Sequence, residues 1–269
     1  MKKIVLSTVL LCSVIAAYSQ LYVRLDVGYG LPVNGEQIGT ETNEKYDFNV
    51  GAYTGKTGGV YGSFGSGLSF HVAAGATING VLGYDVELGY LLGKKYSLKS
   101  SSFDGTYTET NETELSSRSF QIAPSLTFTA GTGNIHPYTR IGPVIGINTI
   151  RNEETQFDDY NNLKEVREYE LTGGVSIGLK GVLGVSFNAG KKISIFGEAS
   201  FVSMSYTPKE GELTGYTVNG DDALDSVPKE NRKVKFKKEV DYTDTNSNVQ
   251  EKYSLGSLGM QIGVKYLLK

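Results

Sequence analysis

From Leu21 to Leu31 the chain reads L-Y-V-R-L-D-V-G-Y-G-L, with every odd position large and apolar. Arg24, Asp26, Gly28 and Gly30 occupy even positions of the same stretch. A period of two is the side-chain period of a β-strand, so one face is apolar and the other is charged or bare. The same alternation returns seven more times. It spans Gly67 to Ile78, Val81 to Gly93, Arg118 to Thr129, Pro137 to Ile150, Tyr169 to Phe187, Ile193 to Tyr206 and Ser254 to Leu268. Asn79-Gly80 is a two-residue hairpin signal, because both residues tolerate positive φ. Pro124 inside the fourth strand is unusual for a paired position. In the sixth strand Leu171, Val175, Ile177, Leu179, Leu183, Val185 and Phe187 keep one phase, which predicts a single continuous strand.

The connections between these eight strands alternate: long, short, long, short, long, short, long. The long ones are polar, and all fall at one end of the sheet. The pattern predicts an all-β fold: an eight-stranded antiparallel up-and-down barrel, with short turns at one rim and long loops at the other.

Alternation alone leaves the direction of the apolar face open, since a soluble lipocalin-like barrel also alternates. The less apolar face is mostly Gly, Ser, Ala and Thr, which suits the tight interior of eight strands. Its charges come in both signs: Arg24, Asp26, Asp85, Glu87, Arg140, Lys180, Glu198 and Lys265. Buried charges persist when paired and hydrogen-bonded, so these eight form a candidate lumen network. The other face carries Tyr29, Tyr84, Tyr90, Phe120, Phe128, Phe187 and Tyr266, which suit interfacial girdles. The apolar face is therefore expected to meet lipid, making the barrel transmembrane.

The segments Gly181 to Phe187, Ile193 to Glu198 and Leu258 to Tyr266 carry a family resemblance. The chain resembles the small outer-membrane β-barrels, the class of the OmpA membrane domain and OmpX, in particular those of Bacteroidota. The resemblance covers Gln20 to Lys269. It implies a bacterial outer-membrane location, with short turns periplasmic and loops extracellular. It also implies lipid, lipopolysaccharide and the barrel-assembly machinery as partners. Barrels of this class commonly end in an aromatic residue; here the end reads Tyr266-Leu-Leu-Lys269.

Lys2, Lys3, an apolar run from Ile4 to Ala16 and the small-x-small Ala17-Tyr18-Ser19 read as a signal peptide over residues 1–19, leaving a barrel domain over 20–269. Cys12, the single cysteine, falls in the segment removed. The net charge of −3 becomes −5 without Lys2 and Lys3, which argues against a nucleic-acid partner.

Chemistry is sparse. His71 reads as a packed lumen histidine, and His136 lies at a short turn. No Gly-x-Ser-x-Gly signature is present, and two histidines without cysteine do not suggest a transition metal. The pairs Glu153-Glu154, Asp158-Asp159 and Asp221-Asp222 read as calcium candidates or as solvated loop. The basic run Arg232 to Lys238, with Val240-Asp-Tyr242, reads as a hairpin whose edge is either capped or open to a partner strand. Glu87, Arg140 and Glu198 read as a salt-bridge plug or as the gate of a narrow pore. The expectation is a non-enzymatic barrel, without cofactor, that stabilises the envelope and offers its loops to a protein or glycan ligand. A narrow channel for small solutes or ions is the alternative, and a lipid-modifying enzyme a third reading.

Overall fold

The computed structural model describes residues 20–268 except 34, 132, 242 and 245. The signal-peptide expectation therefore lies outside the described residues. Eight long strands form the wall: β1 (Gln20–Pro32), β2 (Gly67–Thr77), β3 (Leu82–Gly93), β4 (Thr108–Thr129), β5 (Ile135–Asp158), β6 (Ser176–Asn188), β7 (Ile193–Tyr206) and β8 (Ser257–Leu267). Each pairs antiparallel with its neighbours, and β8 returns to β1. The ring is closed and has no free edge.

The register fixes its shape. From Leu21 the ladder runs through Ala76, Tyr84, Leu126, Ile141, Gly181, Phe201 and Leu258, then reaches β1 again at Leu31. That return point is ten residues further along the same strand. For eight strands this offset corresponds to a tilt of about 40° and a bore that side chains just fill. Between β4 and β5 the ladder lapses from Ala123 to Ser125 without changing register. Pro124 faces Pro143 there, and neither has an N–H to give.

Exposure settles the direction of the faces. Leu25, Ile177, Leu183, Met260 and Ile262 are among the most exposed large residues of the chain, while Arg24, Asp85, Glu87, Arg140 and Glu198 are buried. This reverses the arrangement of a water-soluble barrel. Tyr29, Tyr90, Phe120, Phe128, Phe187 and Tyr266 are exposed, and Tyr84 is half-buried. In β4 Phe120 and Phe128 stand eight residues apart, about 27 Å along the strand and about 20 Å along a tilted axis. That approaches the height of the apolar band of a membrane barrel.

The inner face is small because some of its side chains are large. A Cβ on Gly75 would lie 2.6 Å from the Tyr22 ring, and one on Gly184 would lie 2.5 Å from the Tyr138 ring. Both positions are left empty so that a tyrosine can cross the bore.

Two expectations need correction. Residues 169–187 do not form one strand. Leu163–Thr172 and β6 are separate, and both Gly173 and Gly174 have φ of +82°. Leu171 pairs with the fully buried Ile150 and packs inside, whereas Val175 and Ile177 are exposed. The sequence phase is unbroken, yet the facing inverts across the two glycines.

The polar stretches are also not irregular loops. The wall continues beyond the apolar belt as the far ends of β4 and β5, the hairpin Glu36–Asp47/Ala52–Gly62, and the strands Tyr96–Phe103, Leu163–Thr172 and Glu210–Val218. The basic segment Lys233–Lys237 is a strand, but it pairs with Glu210–Glu212 and, in parallel, with Ser247–Val249. The expected hairpin with residues 240–242 does not form at Val240 and Asp241, and Tyr242 lies outside the described residues. The expected short turns, at 79–80, 130–134 and 188–192, fall together at the opposite rim, with residue 132 outside the described residues. Among the described residues no helix is long and apolar enough to cross a membrane.

Candidate functional site: a charge layer across the lumen

The inward charges of β1, β3, β5, β6 and β7 meet midway along the bore. Arg24 Nη1 donates to Glu198 Oε1 at 2.7 Å, and its Nη2 donates to Glu87 Oε2. Arg140 Nη1 donates to Glu87 Oε2 at 3.1 Å, and its Nη2 to Glu198 Oε2 at 2.7 Å. Two guanidiniums and two carboxylates thus close a four-membered ring from wall to wall. Lys180 Nζ adds a third cation to Glu87 through Oε1, and Tyr138 Oη donates to Glu198 Oε1 at 2.6 Å.

Asp85 joins from one side. It accepts from Ser125 Oγ at 2.5 Å and Tyr22 Oη at 3.2 Å, and lies 3.6 Å from Arg140 Nη1. Asp26 lies 3.9 Å from Arg24 Nε and 2.6 Å from His71 Nδ1. Seven of the eight residues expected in the network are therefore joined. Lys265 is apart, its Nζ lying over the Tyr22 ring at 5.1 Å. The joined set thus encloses three basic side chains, Arg24, Arg140 and Lys180, with four acidic ones, Asp26, Asp85, Glu87 and Glu198. Guanidiniums that each bridge two carboxylates, together with hydroxyl donors, supply hydrogen bonds that water would otherwise make.

Tyr22, Ser125 and Tyr138 were not singled out from sequence, and the His71–Asp26 contact was not foreseen. The signal for the tyrosines is indirect: each stands at an inward position opposite a glycine, at Gly75 and Gly184.

Two small cavities flank the layer, each of about 30 Å³. One is bounded by His71, Lys180 and Gln121 below and by Gly65, Val202 and Leu255 above. The other lies toward the short turns, beside Arg24, Asp85, Arg140 and Lys265. Each accommodates about one or two waters. Above the first, residues 63–66 fold into the mouth as a lid. Phe64 is 1 % exposed and meets the Tyr96 and Tyr253 rings edge-on at 6.0 and 5.5 Å. Ser63 Oγ donates to the Gly256 carbonyl at 2.7 Å, Ser66 Oγ lies 2.7 Å from Tyr96 Oη, and Ser117 Oγ donates to the Phe64 carbonyl at 2.7 Å. The bore is closed twice, by charge and by an apolar cap. The cap was not legible in sequence, where Gly62-Ser-Phe-Gly-Ser-Gly67 looks like flexible linker.

His136, the other histidine, contacts Asn188 at the short-turn rim. The acidic pairs do not converge. Asp158 caps its own turn by accepting from Tyr160 N, Glu153 and Glu154 lie in the β5 ladder, and Asp221 and Asp222 are exposed. Among the described residues no three metal-ligating side chains gather into a site.

No family model matches the chain, and no curated protein does. Among solved structures it is similar to Neisserial surface protein A, with 14% identity over 91% of this chain and 96% of that one, and a TM-score of 0.37. It is also similar to CarO2 of Acinetobacter baumannii, with 12% identity over 92% and 99% and a TM-score of 0.35. A third is the outer membrane protease OmpT of Escherichia coli, with 9% identity over 93% and 97% and a TM-score of 0.32. Scores of this size do not by themselves establish a common architecture. The closed ring stands on the ladders described above.

Proposed function

We propose that the chain is a bacterial outer-membrane barrel of the small OmpA/OmpX-like kind, sealed across its lumen, which stabilises the envelope and offers its long extensions for surface binding or adhesion. One observation carries this reading: the inversion of burial, with a continuous apolar belt outside and charges inside. Water would not tolerate that belt as a free surface, since contiguous exposed apolar area of this extent marks an interaction surface. Lipid is the solvent that matches it, and a closed ring leaves no backbone group unpaired at an edge.

On this reading the short turns face the periplasm, and the polar extensions face outward among lipopolysaccharide. Lipid, lipopolysaccharide and the assembly machinery are its partners, and a protein or glycan ligand meets the extensions. No reaction is assigned to it. His71 is engaged by Asp26 inside the sealed bore, and His136 lies against Asn188 at the short-turn rim. A conducting role finds no support in a bore crossed by the charge layer and capped by Phe64.

The chain is expected in the outer-membrane fraction. Its folded form should migrate differently on a denaturing gel until boiled. Recovery in the soluble periplasmic fraction, with no change in mobility on boiling, would contradict the membrane assignment.

A further inference from the structure

Far from the lumen, three hairpin tips converge at the end of the polar wall. They are residues 47–52, 103–108 and 158–163. The strand Glu36–Asp47 pairs in parallel with Tyr96–Phe103, and that strand pairs in turn with the far end of β4, which pairs with β5. Phe48 from the first tip rests against Gly105 of the second, where a Cβ would lie 2.2 Å from its ring. Tyr107 and Tyr160 meet edge-on at 4.5 Å, and Tyr46 and Tyr53 at 5.3 Å. Between them lies a cavity of about 530 Å³, walled by Tyr53, Tyr107 and Tyr160 and by Asp104, Glu109 and Asp158. No lysine or arginine lines it.

The pocket is built rather than incidental. Asp104 Oδ1 accepts from the N–H groups of Thr106 and Tyr107 at 2.8 Å each, which orients the carboxylate and leaves Oδ2 unengaged among the described residues. Glu109 Oε1 accepts from Gln156 Nε2 at 3.0 Å, and Oε2 is likewise unengaged. The N–H groups of Tyr107 and Thr106 also hold the Asp104 carboxyl below its ordinary value, so it stays anionic well into mild acid. Tyr53, Tyr107 and Tyr160 are exposed, and aromatic side chains clustered at one surface pocket mark an interaction site.

We infer that this pocket binds an organic cation, the guanidinium or alkylammonium group of a partner, by stacking it on the tyrosines and pairing it with Asp104 and Glu109. Aromatic faces attract such cations, and carboxylates held ready at the rim pair with them. An inorganic divalent ion is not the match, because the carboxylates are too dispersed to gather round one centre. The surrounding field agrees. The long segments 34–62, 94–117, 151–172 and 207–256 hold 25 acidic against 16 basic residues, which attracts cations to this end of the molecule. The inference deepens the surface-binding reading and rests on it for the partner's origin outside the cell.

The test uses the full chain refolded in lipid nanodiscs, titrated with a dye-labelled arginine-containing hexapeptide, with free argininamide and with a neutral maltohexaose. Saturable, salt-sensitive binding of the cations is expected. It should weaken about tenfold in Tyr160→Ala and in the double variant Asp104→Asn/Glu109→Gln, which retains both side-chain acceptors. Tyr61→Ala, an exposed tyrosine outside the pocket, should bind as the native chain does. Equal affinity for argininamide and hexapeptide would assign a small amine as the source, and preference for the peptide would assign a polypeptide. No saturable binding of either cation, unchanged binding in both pocket variants, or preference for the oligosaccharide would each overturn the inference. Heat-dependent gel mobility of every variant reports on the barrel independently, so a failed pocket is distinguishable from a failed membrane assignment.

Discussion

Glu87→Gln should lower the unfolding free energy by about 3–5 kcal/mol, the range for breaking a buried ion pair from one side. The Glu87 carboxylate accepts from Arg24, Arg140 and Lys180 at once. Glutamine keeps the shape but removes the charge, which leaves the buried Arg24, Arg140 and Lys180 without the carboxylate they share. The lost attraction is not restored by water, because the adjoining cavities hold only a few molecules. Urea unfolding in lipid vesicles, read as a midpoint shift at constant slope, measures the loss.

An internal control separates burial from charge as such. Glu112 pairs with Lys99 at 3.0 Å, but on the solvated wall, where the Lys99 side chain is 64% and the Glu112 side chain 34% exposed. Glu112→Gln should change stability by less than about 1 kcal/mol. Adding Lys180→Met to Glu87→Gln should recover part of the loss by removing one of the orphaned cations. Equal small effects at Glu87 and Glu112 would mean that the charge layer is hydrated, not sealed.

Ile262→Arg is the second large effect, and its sign depends on the solvent outside the wall. Ile262 stands midway along β8 between Val27 and Gly197, and is 62% exposed. Facing lipid near the bilayer centre, arginine there should cost about 2–4 kcal/mol. Tyr61→Arg, on the polar extension, should be close to neutral. If water bathed the belt, Ile262→Arg would also be neutral and would improve solubility. The comparison is made by vesicle refolding yield and urea midpoint for both variants.

The sequence carried the barrel because half-buried strands leave a period of two. Five wall strands, β1, β2, β3, β7 and β8, lie close to where the alternation places them, whereas β4 and β5 run eight to ten residues past the expected ends and β6 begins at Ser176 instead of Tyr169. The inward charges were legible for the same reason, since Arg24, Asp85, Glu87, Arg140 and Glu198 share a parity with small residues. Three features escaped. The extension strands bury only a few apolar residues, such as Tyr96, Leu98 and Leu213, among many polar ones, so their alternation is short and composition makes them look like loops. The break at Gly173 and Gly174 keeps sequence phase while exchanging inside for outside, which alternation cannot reveal. Lys265 has the parity of the network but stands over Tyr22, because membership depends on height along a tilted barrel as well as on face.

The apolar belt can be located without interference, because the chain contains no tryptophan. Single tryptophans placed at Ile262, Leu183 and Tyr61 in the vesicle-refolded protein would be quenched by lipids brominated at a chosen acyl depth. Strong quenching at Ile262 and Leu183 by mid-chain bromines, with none at Tyr61, is the predicted result. Equal insensitivity at all three positions would contradict the barrel's place in the membrane.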